Sequence, residues 1–312
     1  MAKQTRTDLE STPRSIALTK SFAPSVDQRS REKLRTAFNR EEDGESCTLI
    51  HKIVLGLSDL DLADCLSSST SQIDTFDDHD RTPLWWAAYR EDVAKVKVLL
   101  KFKADVNKGN GSFPLHQAAG ELNTELVELL LAAGAEVNTT NSQGSSSLLV
   151  ACMRVTDDLS TLQALQRHHA EFECTNVFGR GPLATAAPQC NASCVNYLIS
   201  CGASIYCGTG ELPLAVAVRH GNLDATRAIL QHRPLTDQTT DELLYVAGVA
   251  ARRADIGILH ILCDQIWPDD KVLKDETANF DKVELKFLGR SDRSAELDQA
   301  FDQLLTILRR TE

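Results

Sequence analysis

A short phrase returns along this chain at close to one interval, and that recurrence limits the fold more than any other feature. It reads TPLWWAAYR at 82–90, FPLHQAAGE at 113–121, GPLATAAPQ at 181–189 and LPLAVAVRH at 212–220. Pro83, Pro114, Pro182 and Pro213 set the register. Ser147 of SSLLVACMR stands 33 residues after Pro114, and Leu49 of TLIHKIVLG stands 34 before Pro83. A second phrase trails each first one: VKVLLKFKADVN at 96–107, VELLLAAGAEVN at 127–138 and VNYLISCGASIY at 195–206. It is worn in LADCLSSSTSQID at 62–74 and LQALQRHHAEFE at 162–173, and cut short in TRAILQHRP at 226–234. One such unit cannot bury its own apolar face, so the copies must stack.

The chemistry of the unit is readable. Thr82 can cap a helix, and Pro83 suits the first helical turn because the N–H it lacks had no helical partner there. Leu84, Ala87 and Ala88 offer a small apolar face that lets neighbouring helices approach. Val96, Leu99 and Leu100 then recur at helical spacing. Gly134-Ala135 and Gly202-Ala203 end the second helix where a left-handed residue is cheap. Polar stretches such as KGNGS at 108–112 turn the chain into the next copy.

The unit closely resembles the ankyrin repeat, in six copies over residues 44–234. The fold expected is all-α: an ankyrin-repeat solenoid of helix-turn-helix units with short turns and a helical C-terminal cap. Three departures stand out. The second and third copies are 31 residues apart, the fourth lacks its proline, and MRVTDDLS at 153–160 holds about two extra residues. A degenerate seventh unit, DELLYVAGVAARRADIGILHILCDQI at 241–266, looks like a cap. The domains expected are a disordered basic arm at 1–28, a short basic helix at 29–43, the repeats at 44–266 and an extension at 267–312. Within the extension an amphipathic helix at 294–310 carries Leu297, Phe301, Leu304, Leu305 and Leu308 on one stripe. Ser294 caps it, and Arg309 and Arg310 complement the dipole at its end.

Several function classes are excluded. No apolar run reaches a membrane span, and MAKQTRTDLESTPRS has no secretory apolar core. The nine cysteines are an odd number without framework spacing, as in a reducing compartment. Cys190 and Cys194, with Cys201 and Cys207 behind, lack the paired knuckles of a zinc site, so no metal is expected. There is no nucleophile elbow, phosphate loop, zinc-protease or dinucleotide motif. No catalytic residue and no cofactor are assigned. The resemblance implies that His51 and His116 are structural, tying adjacent copies by hydrogen bonds. Trp85 takes that same place, so Trp85 and Trp86 are expected to be wedged between copies. His168-His169 replaces the usual glycine and should be an exposed helix end.

The resemblance instead implies a binding surface made of the turn tips and the ends of the first helices. The candidates are His79, Arg81, Tyr89, Arg90, Met153, Arg154, Phe178, Arg180, Arg219 and His220, with Tyr89 and Arg90 expected to be exposed. Over all such positions in copies two to six, five arginines (81, 90, 154, 180 and 219) face three acids, Asp78, Glu121 and Glu211. A protein segment with acidic and apolar residues fits that face, and no small-molecule substrate is inferred.

Charge is divided along the chain. Residues 1–40 carry +5 and the remainder −16, within a total of −11. In SVDQRSREKLRTAFNREE at 25–42, Arg29, Arg31, Lys33 and Arg35 interleave with Leu34 and Phe38, offering contacts to phosphate or to an acidic partner. A basic segment joined to such repeats resembles fungal-type regulators of small-molecule biosynthesis genes. No heptad zipper follows, so DNA contact is expected to be weak or indirect. The same segment could instead cap the first repeat. The leading reading is a non-enzymatic scaffold acting as a nuclear transcription coregulator. The alternatives are a cytoplasmic adaptor or inhibitor, and an atypical enzyme or accessory protein of a biosynthetic pathway.

Overall fold

The computed structural model describes residues 47–155, 157–206, 210–234, 240–253, 255–264 and 294–309. Among these residues the chain is helical throughout, without strands, apart from an isolated bridge between Thr140 and Ser146. The helices come in pairs. The first three pairs are α1 (Leu49–Leu55) with α2 (Leu62–Ser68), α3 (Pro83–Tyr89) with α4 (Val93–Lys101), and α5 (Pro114–Gly120) with α6 (Thr124–Ala132). Next come α7 (Ser147–Cys152) with α8 (Ser160–Arg167), α9 (Pro182–Ala186) with α10 (Ala192–Ser200), and α11 (Pro213–His220) with α12 (Leu223–His232). Then α13 (Thr240–Arg253) is followed by α14 (Ile256–Asp264), and α15 (Ala295–Arg309) packs on α14.

The first helices form one row, each against the next from α1 to α13, and the second helices form another behind it. The second row thins between α8 and α10. Small residues explain the close first row: Ala87, Ala88, Ala118, Ala119, Ala186, Ala187 and Ala217 are fully buried. Leu84, Leu115, Leu148, Leu183 and Leu214 fill the same place in successive copies. From the second row, Val96, Leu99, Val127, Leu130, Leu162, Leu165, Val195 and Leu198 complete a continuous core.

Capping follows the repeat. Thr48, Thr82 and Ser146 accept a backbone N–H at the start of α1, α3 and α7, and Asp61, Asp92, Asn123, Asn191 and Asn222 do so at second helices. Phe113, Gly181 and Leu212 supply no side-chain cap, but α5, α9 and α11 each begin with proline. The proline removes one of the donors a cap would have had to satisfy. At the ends of the second helices, Gly134 and Gly202 are left-handed, and Lys103 and His169 take the same conformation at that register position without glycine's freedom.

The turns explain the uneven spacing. Asp77, Asn141 and Asn176 each accept two backbone N–H groups from residues two and four further on. Nine residues separate Asn138 from Ser147, but only seven separate Asn107 from Pro114 and Tyr206 from Pro213. The 31-residue interval between Pro83 and Pro114 is thus a turn shortened by two.

Candidate partner-binding site

The residue two before each proline position forms a column along the array: Arg81, Ser112, Ser145, Arg180 and Glu211. Three of its members receive ties from the copy before. His51 Nε2–H donates to the Arg81 carbonyl at 3.1 Å, and His116 Nε2–H to the Ser145 carbonyl at 3.0 Å. Burial holds both imidazoles below the usual histidine range, so they serve as neutral donors. Trp85 keeps the tie without being histidine: its indole Nε1–H donates to Ser112 Oγ at 2.8 Å.

Trp86 is buried and donates to Asp77 Oδ2 at 2.7 Å. Asp77 Oδ1 meanwhile holds the backbone N–H groups of His79 and Arg81 at 2.9 Å each, so the indole anchors the turn. The Arg81 guanidinium lies 4.8 Å from the Trp85 ring and 5.0 Å from the Trp86 ring. Tyr89 stacks on Trp85 at 5.2 Å with 13° between the planes. Arg90 Nη1 donates to the Val54 carbonyl at 2.7 Å, where Lys95 Nζ also donates at 3.1 Å. The expectation that Tyr89 and Arg90 are exposed is corrected: both are half-buried, one against the indole and one on the end of α1.

Further along, the side chains turn outward. His79 and His220 are exposed. Met153 is exposed, and its carbonyl accepts from the Gln189 amide. Arg154 pairs with Glu121 at 3.5 Å. Phe178 stands at the tip of the fifth turn, 66% exposed. Arg180 Nη2 reaches Glu211 Oε2 at 3.2 Å, and Arg219 pairs with Glu211 Oε1. The Tyr245 hydroxyl donates to Glu211 Oε1 at 3.2 Å and accepts from Arg219 Nη2 at 3.0 Å. Phe178, Arg180, Gly210, Glu211 and Tyr245 line an open hollow of about 490 Å³.

The candidates therefore divide. Arg81 and Tyr89 lie against the indole pair and Arg90 sits on the end of α1, Met153 and Arg154 hold the middle, and Phe178, Arg180 and Arg219 gather around Glu211. The sequence places Glu211 on this face as one of its three acids without marking it as a contact residue, and its role as the hub of two arginines comes from the structure. Tyr245 was missed because it lies in α13, beyond the recurring phrase. Arg29, Arg31, Lys33, Arg35 and the rest of the basic arm, Cys207 and residues 267–290 lie outside the described residues.

Cys152, Cys190 and Cys194 are buried, and burial pushes the Cys152 thiol far above its usual range. Among the described residues no group of three or more His, Cys, Asp or Glu side chains could hold a metal. No helix among them is long and apolar enough to cross a membrane.

The stacked pairs have known counterparts. The family model for ankyrin repeats (3 copies) matches residues 49–141 and again 148–240. Palmitoyltransferase AKR1 of Debaryomyces hansenii is 41% identical over 95 residues, 29% of this chain and 12% of the relative. The human transient receptor potential cation channel subfamily A member 1 is 27% identical over 178 residues, 53% of this chain and 16% of the channel. A chain from the complex of the Bd0816 predatory endopeptidase of Bdellovibrio bacteriovorus with immunity protein Bd3460 superposes with TM-score 0.51. At 20% identity, over 61% of this chain and all of that one, the likeness is one of fold. This chain spans only 12% and 16% of the two curated relatives, so neither activity carries over with the match. The family model covers more than half of the sequence, and the chain belongs to the ankyrin-repeat family.

Proposed function

We propose that the array is a protein-binding scaffold without chemistry of its own, holding an extended partner segment with acidic and apolar residues across its turn tips and first-helix ends. One observation carries this reading: the register that ties the copies together also aligns Met153, Phe178, Arg154, Arg180 and Arg219 outward on that face. Apolar side chains beside arginines on a rigid support are the usual composition of binding hot spots. Arg90 is part of the support, so a test should spare it. Arg154, Arg180 and Arg219 together changed to Glu should abolish co-purification of the partners held by the wild type, with the helical spectrum unchanged. Retention of the same partners by a folded triple variant overturns the reading.

The gene-regulatory version rests on the basic segment at 25–42 and its resemblance to arm-plus-repeat regulators, and it implies nuclear accumulation of a tagged copy. The names of the relatives reported above, a palmitoyltransferase and a cation channel, do not point to gene regulation. A tagged copy confined to the cytosol favours the adaptor or inhibitor reading instead.

A further inference from the structure

The arginines of this face are not equivalent, and the difference locates a subsite. Arg81 lies over two indoles, Arg90 is spent on a backbone carbonyl, and Arg154 has its own carboxylate in Glu121. Among the described residues Arg180 and Arg219 share one carboxylate, Glu211, so their ion pairs leave one positive charge over. Glu211 is itself largely covered, its side chain 15% exposed against 49% for Arg180 and 40% for Arg219. It therefore holds two exposed guanidinium forks in place from beneath. Each fork has five N–H donors, more than these contacts occupy. Beside them Phe178 and Tyr245 expose their rings on the hollow that Arg180 and Glu211 also line.

Resting on the reading of this face as a protein-binding surface, we infer that the corner formed by Phe178, Arg180, Arg219 and Tyr245 is a docking subsite for a peptide carboxylate adjacent to a large apolar side chain. The side-chain carboxylate of an Asp or Glu accepts from Arg180 and Arg219, and the apolar group lies between the rings of Phe178 and Tyr245. Bidentate recognition suits a guanidinium and a carboxylate. The forks are already fixed by Glu211, so little side-chain freedom is lost when the peptide arrives. An isolated carboxylate would meet Glu211 in competition for the same donors. The apolar neighbour supplies the burial that separates a specific ligand from any anion.

The test uses random dodecapeptides displayed on phage and selected against the full chain, with enriched sequences synthesised with both ends blocked for affinity measurement. Enriched sequences should carry Asp or Glu within two residues of Leu, Ile, Met, Phe or Trp. Their affinity should fall about tenfold in Phe178→Ala and again in Arg180→Ala, the scale of a hot-spot side chain. Tyr245→Phe keeps the ring and the apolar preference while weakening carboxylate-bearing peptides more than their Asn or Gln counterparts. Circular dichroism controls for folding. Enriched peptides without the acidic-apolar pair overturn the subsite, and so do peptides weakened by Phe178→Ala but indifferent to Arg180→Ala. If peptides are instead lost only in Met153→Ala or Arg154→Ala, the subsite falls and the binding face stands. No enrichment at all counts against both.

Discussion

The second copy and the fifth begin with residues of the same kind at the same place, and they use them in opposite ways. Arg81 and Arg180 both stand two before the proline. In the second copy the neighbouring helix supplies two indoles, and Arg81 lies over both. In the fifth the same two places hold Ala184 and Thr185, too small to underlie a guanidinium, and Arg180 reaches forward to Glu211 instead. Tyr89, at the position that Arg219 holds in the sixth copy, stacks on Trp85 while Arg219 joins the Glu211 cluster. Position in the repeat thus fixes where a side chain starts. The size of the residues beneath it decides whether it serves the stack or the surface.

The strongest way to break this contrast is Trp86→Ala. It removes a buried indole and leaves Asp77 without that donor, so unfolding in urea should show a loss of about 3–5 kcal/mol. Acidification comes next because it acts on two ties at once. His51 and His116 have folded pKa values below their ordinary 6.5, so the unfolded chain binds more protons as pH falls through that value. Stability should be greatest at neutral pH and decline below about 6.5 towards the lower folded values. Urea midpoints at pH 7.5 and 5.5 measure the decline, and His51→Gln with His116→Gln should flatten it. Trp85→Phe keeps a ring under Arg81 and Tyr89 but loses the bond to Ser112, and should cost about 0.5–1.5 kcal/mol. The smallest effect belongs to Phe178→Ala, expected within about 0.5 kcal/mol of wild type by the same denaturation. A large loss there would place Phe178 in the support rather than on the surface.

These comparisons also show what the sequence made legible. The recurring prolines and the Leu-Ala faces specify helix pairs, their order and their stacking, because each copy repeats one solution to burying the same stripe. The burial of Trp85 and Trp86 was readable from the histidine position. The partner of Trp85 was not, since a serine in a shortened turn gives no signal of what will reach it. Arg90 escaped for another reason: its acceptor is a backbone carbonyl at the end of α1, and backbone groups have no letter in the sequence. Tyr245 sits outside the phrase that set the register, so only the packing of α13 on α11 brings it to Glu211.

The thinning of the second row between α8 and α10 has a mechanical meaning. There the Tyr197 hydroxyl reaches Gln166 at 2.7 Å, and its ring meets Phe172 edge-on at 6.3 Å. At this joint the second row is held by side chains more than by close backbone packing. A rod bonded along one edge is softest in the direction that opens the other. If the array bends, this joint is where it is expected to give first, and the tilt would change the reach between the exposed side chains of Met153 and Phe178.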